Sequence, residues 1–149
     1  MERILRSIII MVILLSASTA RADQYFTSMA EKEGFNYTYI SPYMLKAMSG
    51  QITTFNILDT DKLEEVEIIS TLYNGTDADF WRTIRGIITK FNLKTLSTVK
   101  HYNNRTDMLG NINSNKEVTH LMTITQNGGN NVTVTLMTGK IPLDSISFD

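Results

Sequence analysis

Apolar residues recur every three or four positions between Thr76 and Asn92, which is the spacing of one face of an α-helix. Thr76 is placed to cap the N-terminus with Asp79 three residues later, and Asn92 can adopt the left-handed conformation that ends a helix. The polar face mixes both charge signs with threonine, which disfavours the alternative of a membrane-binding or partner-binding helix. The pattern predicts an amphipathic helix over 77–91 that packs on a β-sheet through six residues: Phe80, Trp81, Ile84, Ile87, Ile88 and Phe91.

Most of the remaining chain alternates between apolar and polar residues, which is typical of half-buried strands. The hairpin signal Asn127-Gly128-Gly129-Asn130 separates the last two runs, and Gly139 is expected to end the final strand. Pro142 then opens a short helical turn over 142–147. The predicted strands cover residues 35–40, 66–71, 93–101, a weaker run at 106–112, 117–125 and 131–138.

Two short helices are predicted near the start of the folded part. The first covers 24–33 and stops at Gly34. The second begins at Ser41-Pro42, because serine caps a helix and proline fits its first turn, and it stops at Gly50. The apolar residues of 51–58 fit neither period. The resulting fold class is α+β: a mainly antiparallel sheet of about five or six strands, with one long helix (77–91) and short helices packed on one face.

Residues 1–22 have the pattern of a signal peptide. Arg3 and Arg6 precede an apolar run over 8–15, and Ala20-Arg21-Ala22 is a small-x-small cleavage site. The run is short for a membrane span, although an uncleaved N-terminal anchor is the alternative. Cleavage after Ala22 would leave residues 23–149 as a single α+β domain that is periplasmic or secreted, with no membrane span.

Charge and cysteine content narrow the classes of function further. Removing residues 1–22 takes away three arginines and one glutamate, which leaves 11 basic and 14 acidic residues. This balance offers no basic excess for nucleic acid, so no nucleic-acid partner is expected. The chain has no cysteine, which excludes disulfides and thiol catalysis.

Four segments occur in the order and spacing of one known family: Tyr39–Met48 (YISPYMLKAM), Val66–Thr71 (VEIIST), Leu93–Lys100 (LKTLSTVK) and Val134–Ser147 (VTLMTGKIPLDSIS). The chain therefore resembles the Bacteroidetes exported domain-of-unknown-function family numbered 4252, over nearly all of residues 23–149. It departs from the family pattern at Pro42 and Pro142 and has a shorter 51–61 connection. The resemblance implies an exported α+β domain with no assigned activity, and it hints at a role in envelope-stress or sigma-factor signalling.

No combination of residues predicts catalysis, a metal site or a cofactor. Glu117 and His120 have a metal-binding spacing only on a helix, and in a strand they would point to opposite faces, so a structural histidine is favoured. Asp59 and Asp61 imitate the start of a calcium loop, but the later ligand positions do not match. His101 has no partner in a catalytic pattern. Glycoside hydrolysis would need converging acids, whereas the clustered carboxylates of Glu64, Glu65 and Glu67 are expected to face solvent.

The remaining candidate residues concern binding and modification. Four tyrosines of the first third are a possible binding face, with a sheet face buried under helices as the favoured alternative: Tyr25, Tyr37, Tyr39 and Tyr43. Ser145 lies in an Asp-Ser-apolar motif used for O-glycosylation in the group of bacteria that the resemblance suggests. Asn36, Asn74, Asn104 and Asn131 begin N-x-Thr sequons that are acceptors only in a eukaryotic secretory pathway.

Three hypotheses about function follow from the sequence. The first is a non-enzymatic periplasmic domain that binds an unknown protein or small ligand, because folding signals are clear and convergent catalytic groups are missing. The second is the signalling partner that the resemblance suggests. The third is an enzyme that depends on carboxylates, which a pocket lined by two or more acids would favour.

Overall fold

The computed structural model describes residues 24–48, 57, 60–71, 77–128 and 131–148. Their helices are α1 (Thr27–Ala30), α2 (Pro42–Ala47) and α3 (Ala78–Lys90), with 3₁₀ turns at Thr60–Lys62 and Leu143–Ser145. Their strands are β1 (Phe35–Ile40), β2 (Leu63–Thr71), β3 (Lys94–His101), β4 (Asn104–Ile112), β5 (Glu117–Asn127) and β6 (Asn131–Pro142). The strands form one six-stranded sheet in the order β1-β2-β6-β5-β4-β3, and each neighbouring pair is antiparallel.

The predicted amphipathic helix is present as α3, at an ordinary length of 13 residues, but its N-terminal cap differs from the prediction. Asp77 caps the helix, because its Oδ1 accepts a hydrogen bond of 2.7 Å from the Phe80 N–H. The predicted capping box of Thr76 with Asp79 is therefore wrong. At the other end Asn92 has a φ of 51°, which confirms the left-handed residue that stops the helix.

The predicted apolar stripe of α3 packs on the sheet, though to different depths along its length. Phe80, Ile84 and Ile87 are buried, whereas Trp81, Ile88 and Phe91 are partly exposed at the edge of the same cluster. Phe26 and Met29, which lie at α1, belong to the same cluster. On the sheet, the cluster includes five inward residues of the central strands β5 and β6: Met122, Ile124, Val132, Val134 and Leu136.

A second hydrophobic cluster covers the opposite face of the sheet. Leu45 of α2, Ile57 and Ile146 pack there against a second set of strand residues: Leu63, Val66, Met108, Val118, Leu121, Met137 and Ile141. Ile57 also forms an isolated bridge to Ile146. The prediction that the short helices pack on one face is therefore wrong, because α1 and α3 lie on one face and α2 on the other. That second face also carries a cross-strand row of hydroxyls on four strands: Ser70, Thr133, Thr125 and Thr106.

Several helices and strands begin or end at residues other than those predicted from the sequence. The first helix is shorter than 24–33, because only 27–30 are helical. Strand β2 begins at Leu63 and not at Val66, so Glu64 and Glu65 lie inside the strand together with Glu67. Strand β6 continues through Gly139 to Pro142, so the glycine does not end the strand. Ser41 caps α2 as predicted, accepting from the Met44 N–H at 3.3 Å.

Several of the predictions concern residues outside the described ranges: the signal peptide of residues 1–22, the ambiguous 51–56 segment, Asp59 and the Gly129-Asn130 part of the hairpin signal. Within the part of the chain that the structure describes, no helix combines the length and hydrophobicity needed to cross a membrane.

Candidate functional site

At one end of the sheet, strand pairing is irregular between β2 and β6, between β6 and β5, and between β5 and β4. The register shifts between Leu63 and Glu65 on β2, between Val118 and His120 on β5, and between Gly110 and Ile112 on β4. Such bulges redirect side chains and free backbone groups from the ladder, and they are over-represented next to functional sites. The side chains around these bulges are therefore the first place to search for chemistry.

The side chain of Asn111 holds the β5 bulge in place. Its Oδ1 accepts three hydrogen bonds: from the Thr119 N–H at 3.2 Å, from the Thr119 Oγ1–H at 2.9 Å and from the His120 N–H at 2.9 Å. Two backbone donors that the irregular ladder leaves unpaired are satisfied in this way. The orientation of the Asn111 amide is fixed as well, because only its oxygen can accept from two backbone N–H groups.

This network determines the tautomer of His120. The Thr119 hydroxyl has one hydrogen, and it is donated to Asn111. The Thr119 oxygen lies 3.2 Å from His120 Nδ1, so in this contact the ring nitrogen must be the donor. His120 in its neutral form therefore carries its proton on Nδ1, which leaves Nε2 with a free lone pair able to accept a hydrogen bond.

Aromatic side chains fix the position of the imidazole. Phe91 stacks on the His120 ring with centroids 3.8 Å apart and planes 16° apart. Tyr25 meets Phe91 edge-on at 5.1 Å, and the Lys90 ammonium lies 4.8 Å from the Tyr25 ring centroid. The C-terminal end of α3 thus packs against His120 and Tyr25, and the position of Lys90 agrees with the preference of cations for aromatic faces.

Strand β2 supplies three carboxylates on the other side. Glu67 is buried, and its oxygens accept from the Tyr25 N–H at 3.0 Å, the Phe26 N–H at 3.1 Å and the Tyr37 hydroxyl at 3.2 Å. Glu65 is partly exposed and Glu64 is exposed. We call the cavity of about 380 Å³ beside them the His120 pocket, defined by Tyr25, Glu64, Glu65, Thr119, His120, Thr138, Gly139 and Lys140.

The pKa values of Glu65 and His120, which both line the pocket, are shifted in opposite directions. Burial, followed by the charges of Glu67 and Glu64, raises the pKa of Glu65 above its ordinary value. Burial lowers the pKa of His120, an effect that Glu64 opposes and Lys90 reinforces. Burial and the neighbouring carboxylates also raise the pKa of Tyr37 and Tyr39. The site therefore concentrates negative potential beside a neutral imidazole.

The raised pKa of Glu65 predicts a change in stability with pH. The folded chain holds this proton more tightly than the unfolded chain, so ionisation of Glu65 costs folding free energy. The cost is fully present above the folded pKa and disappears as the pH falls below the ordinary value of 4.5. We expect Glu65→Gln to raise the melting temperature at pH 7.5, by a gain in stability of up to about 1 kcal/mol.

Thermal unfolding of both chains between pH 4 and pH 8 measures this effect, and the gain should vanish at the acid end. Glu33→Gln is the matched control, because it removes the same charge from an exposed position outside the pocket. A lower melting temperature for Glu65→Gln at pH 7.5 would contradict the assigned cause.

The structure brings together residues that the sequence analysis treated separately. Three of the four candidate tyrosines, Tyr25, Tyr37 and Tyr39, lie around the β2 carboxylates. Tyr43 does not join them, because it lies on α2 at the opposite face of the sheet and is 83% exposed. Glu64 and Glu65 line the pocket with His120, whereas they were expected to face solvent as a group.

The other candidate residues lie elsewhere. Glu117 begins β5, three residues before His120, and its carboxylate accepts a hydrogen bond of 3.0 Å from the Asn113 amide. His101 is exposed on β3 beside Tyr102. Ser145 is buried and donates to the Pro142 carbonyl at 2.7 Å, so in the folded chain its hydroxyl is already engaged; its glycosylation stays a prediction. Of the sequon asparagines, Asn36, Asn104 and Asn131 are exposed, and Asn74 lies outside the described residues.

Sequence reasoning missed Asn111 and Thr119, which position His120. Neither residue belongs to a motif, and their roles depend on a bulge in β5 that the alternation of polar residues does not reveal. The available signals were Gly110, directly before Asn111, and Gly139, since a glycine within a strand pattern often marks a bulge.

The fold and the pocket define a small α+β domain, built on one antiparallel sheet with a polar cavity at its bulged end. Residues 25–147 match the family model described as Domain of unknown function (DUF4252), and the chain belongs to this family. No curated protein and no solved structure matches the chain.

Proposed function

We propose that this protein is an exported, non-enzymatic binding domain that receives an ammonium group in the His120 pocket. The observation that carries the proposal is geometric: the carboxylates of Glu64 and Glu65 line one cavity together with His120. In agreement with this, burial, followed by repulsion from the carboxylates of Glu67 and Glu64, raises the pKa of Glu65. A bound cation would relieve the repulsion between these carboxylates, and this relief would strengthen the binding of the cation. Export is supported by the signal-peptide pattern of residues 1–22.

The arrangement of acceptors suits an ammonium group. An ammonium carries three N–H donors, and the pocket offers the carboxylates of Glu64 and Glu65 and the Nε2 lone pair of His120. Lys140 also lines the pocket and Lys90 is close enough to lower the pKa of His120, so the three carboxylates of β2 exceed the nearby ammonium groups by one. A metal ion fits less well, because the described residues contain no group of three histidine or acidic side chains that could hold one.

The test is a titration with Nα-acetyl-lysine amide, followed by NMR signals of the histidine rings. The chain has two histidines, so exposed His101 is an internal reference for His120. We expect saturable shifts at His120 with a Kd of about 1 mM or tighter, and roughly tenfold weaker binding in Glu64→Gln/Glu65→Gln. Nα-acetyl-norleucine amide, which lacks the amine, is the matched control. Equal shifts with both compounds, or none with either, would refute the proposal.

A carboxylate-dependent enzyme is the second candidate function. It is favoured by one observation: the pocket places Glu65, whose pKa is raised, together with His120, whose pKa is lowered, and Glu64 is a second acid in the same lining. A hydrolase activity that is lost in Glu65→Gln, while the fold is kept, would support this function over simple binding.

The signalling role suggested by the family resemblance requires a protein partner. A lysine side chain of such a partner would present the ammonium group that the pocket accepts. Capture of a membrane regulator from envelope extract by the wild type, and its loss with Glu64→Gln/Glu65→Gln, would support that role.

A further inference from the structure

A second pocket lies on the α3 side of the sheet, six residues further along β5 from His120. Its volume is about 320 Å³, and it forms where the first turn of α3 approaches the β3–β4 turn and the ends of the β5–β6 hairpin. We call it the Trp81 pocket, defined by Trp81, Asn103, Gln126, Asn127, Gly128, Asn131 and Val132. None of these residues belongs to the His120 pocket.

One aromatic ring and four carboxamides dominate this lining. Phe80 holds the Trp81 indole edge to face, with ring centroids 5.0 Å apart and planes at 81°, so the partly exposed ring has a defined orientation. No described residue forms a hydrogen bond with the side-chain amides of Asn103, Gln126, Asn127 and Asn131. Four amides without a hydrogen-bond partner among the described residues therefore line the same cavity as one indole.

The charge of the site excludes ionic ligands as its natural occupants. Among the residues that the structure describes, no acidic or basic side chain lines the pocket. Arg105 pairs with Gln126 across the sheet, but its Nε and Nη2 donate to Asp107 at 2.6 Å and 2.9 Å. A phosphate or carboxylate would find no free cation among these groups, and an ammonium group would find no free carboxylate.

These features match the chemistry of a sugar ring. A hydroxyl group both donates and accepts hydrogen bonds, and a carboxamide offers both partners on one side chain. The C–H face of a pyranose is apolar and flat, so it packs on an indole in the way that ligand pockets combine an aromatic surface with a few orienting polar groups. We propose that the Trp81 pocket binds a neutral carbohydrate, with the ring stacked on Trp81 and its hydroxyls hydrogen-bonded to the amides.

The fluorescence of Trp81 provides a specific measurement, because the chain contains one tryptophan. The probes are glucose, N-acetylglucosamine, cellotriose, maltotriose and chitotriose, added to the complete folded chain. We expect at least one sugar to shift or quench the emission saturably, with a Kd of about 1 mM or tighter. A response to the trisaccharide alone indicates an oligosaccharide chain as the ligand, and an equal response to its monosaccharide indicates a free sugar.

Amide variants test whether the response comes from this pocket. Gln126→Ala and Asn131→Ala keep the fluorophore and alter only partly or fully exposed side chains, so the fold should be retained. Each should weaken binding about fivefold to tenfold through the loss of its hydrogen bonds. Asn115→Ala is the matched control, since it removes an exposed amide outside the pocket. An unchanged emission with every sugar up to about 20 mM, or a response that both pocket variants preserve, overturns the proposal.

Discussion

Glu67→Ala is expected to destabilise the folded chain by roughly 3–5 kcal/mol, because it removes the acceptor of three buried or partly buried donors. The Glu67 side chain is 3% exposed, and its two oxygens receive the N–H groups of Tyr25 and Phe26 and the hydroxyl of Tyr37. Alanine would leave these groups unpaired and also open a cavity beneath α1. Urea unfolding monitored by circular dichroism gives the free energy directly.

Two variants separate the loss of hydrogen bonds from the loss of charge. Glu67→Gln keeps one oxygen acceptor, so its cost should be intermediate. Glu64→Ala removes an exposed carboxylate three residues before Glu67, and it should change the free energy of unfolding by no more than about 0.5 kcal/mol. If Glu67→Ala unfolds at the same urea concentration as Glu64→Ala, the buried carboxylate does not stabilise α1 as the structure indicates.

The sequence analysis grouped Glu67 with Glu64 and Glu65 as a solvated acidic run, and the reason for that error is physical. Charged residues are almost never fully buried unless they are paired, so a cluster of three is normally on the surface. The partners of Glu67 are backbone N–H groups about 40 residues away, and a backbone donor leaves no mark in a sequence. Only the register of β1 on β2, which places Tyr39 opposite Glu67, brings these groups together.

Local patterns predicted the parts of the fold that depend on local physics. The 3.6-residue period located α3, the Asn-Gly-Gly-Asn signal located the β5–β6 hairpin, and Ser41 correctly indicated the start of α2. Each of these features is decided by neighbouring residues, through helix periodicity, turn geometry or capping. The covering of both sheet faces was missed because it depends on long-range contacts of Leu45, Ile57 and Ile146.

The candidate site was less predictable than the fold. Its tyrosines, glutamates and His120 were each noted, but nothing in their spacing placed them around one cavity. Three bulges bring them together, and a bulge changes the register by a single residue without disturbing the alternation on either side. Sequence patterns can therefore identify residues of such a site without predicting how they are arranged in space.

Gly139 lies at the bulge between β2 and β6 and predicts the second large effect. A Cβ atom at this position would lie 2.1 Å from the Lys62 carbonyl oxygen and 3.1 Å from the Leu63 Cα. Both contacts are with backbone, so no side-chain rotation can relieve them. We expect Gly139→Ala to cost roughly 3 kcal/mol or more, and to disturb the His120 pocket that Gly139 lines.

Gly86→Ala is the matched control, because the same methyl group is added where no heavy atom lies within 4 Å. Gly86 is exposed in the middle of α3, where alanine is favoured over glycine by roughly 0.5–1 kcal/mol, so this variant should be more stable than the wild type. Urea unfolding should therefore place the two substitutions on opposite sides of the wild type. Since both variants replace glycine by alanine, the difference between their free energies of unfolding measures the cost of the contact between β6 and the Lys62 backbone. If the Gly139→Ala chain is as stable as the wild type, β2 and β6 can separate at this position without cost. The backbone beside the His120 pocket would then be too mobile for the selective binding of an ammonium group.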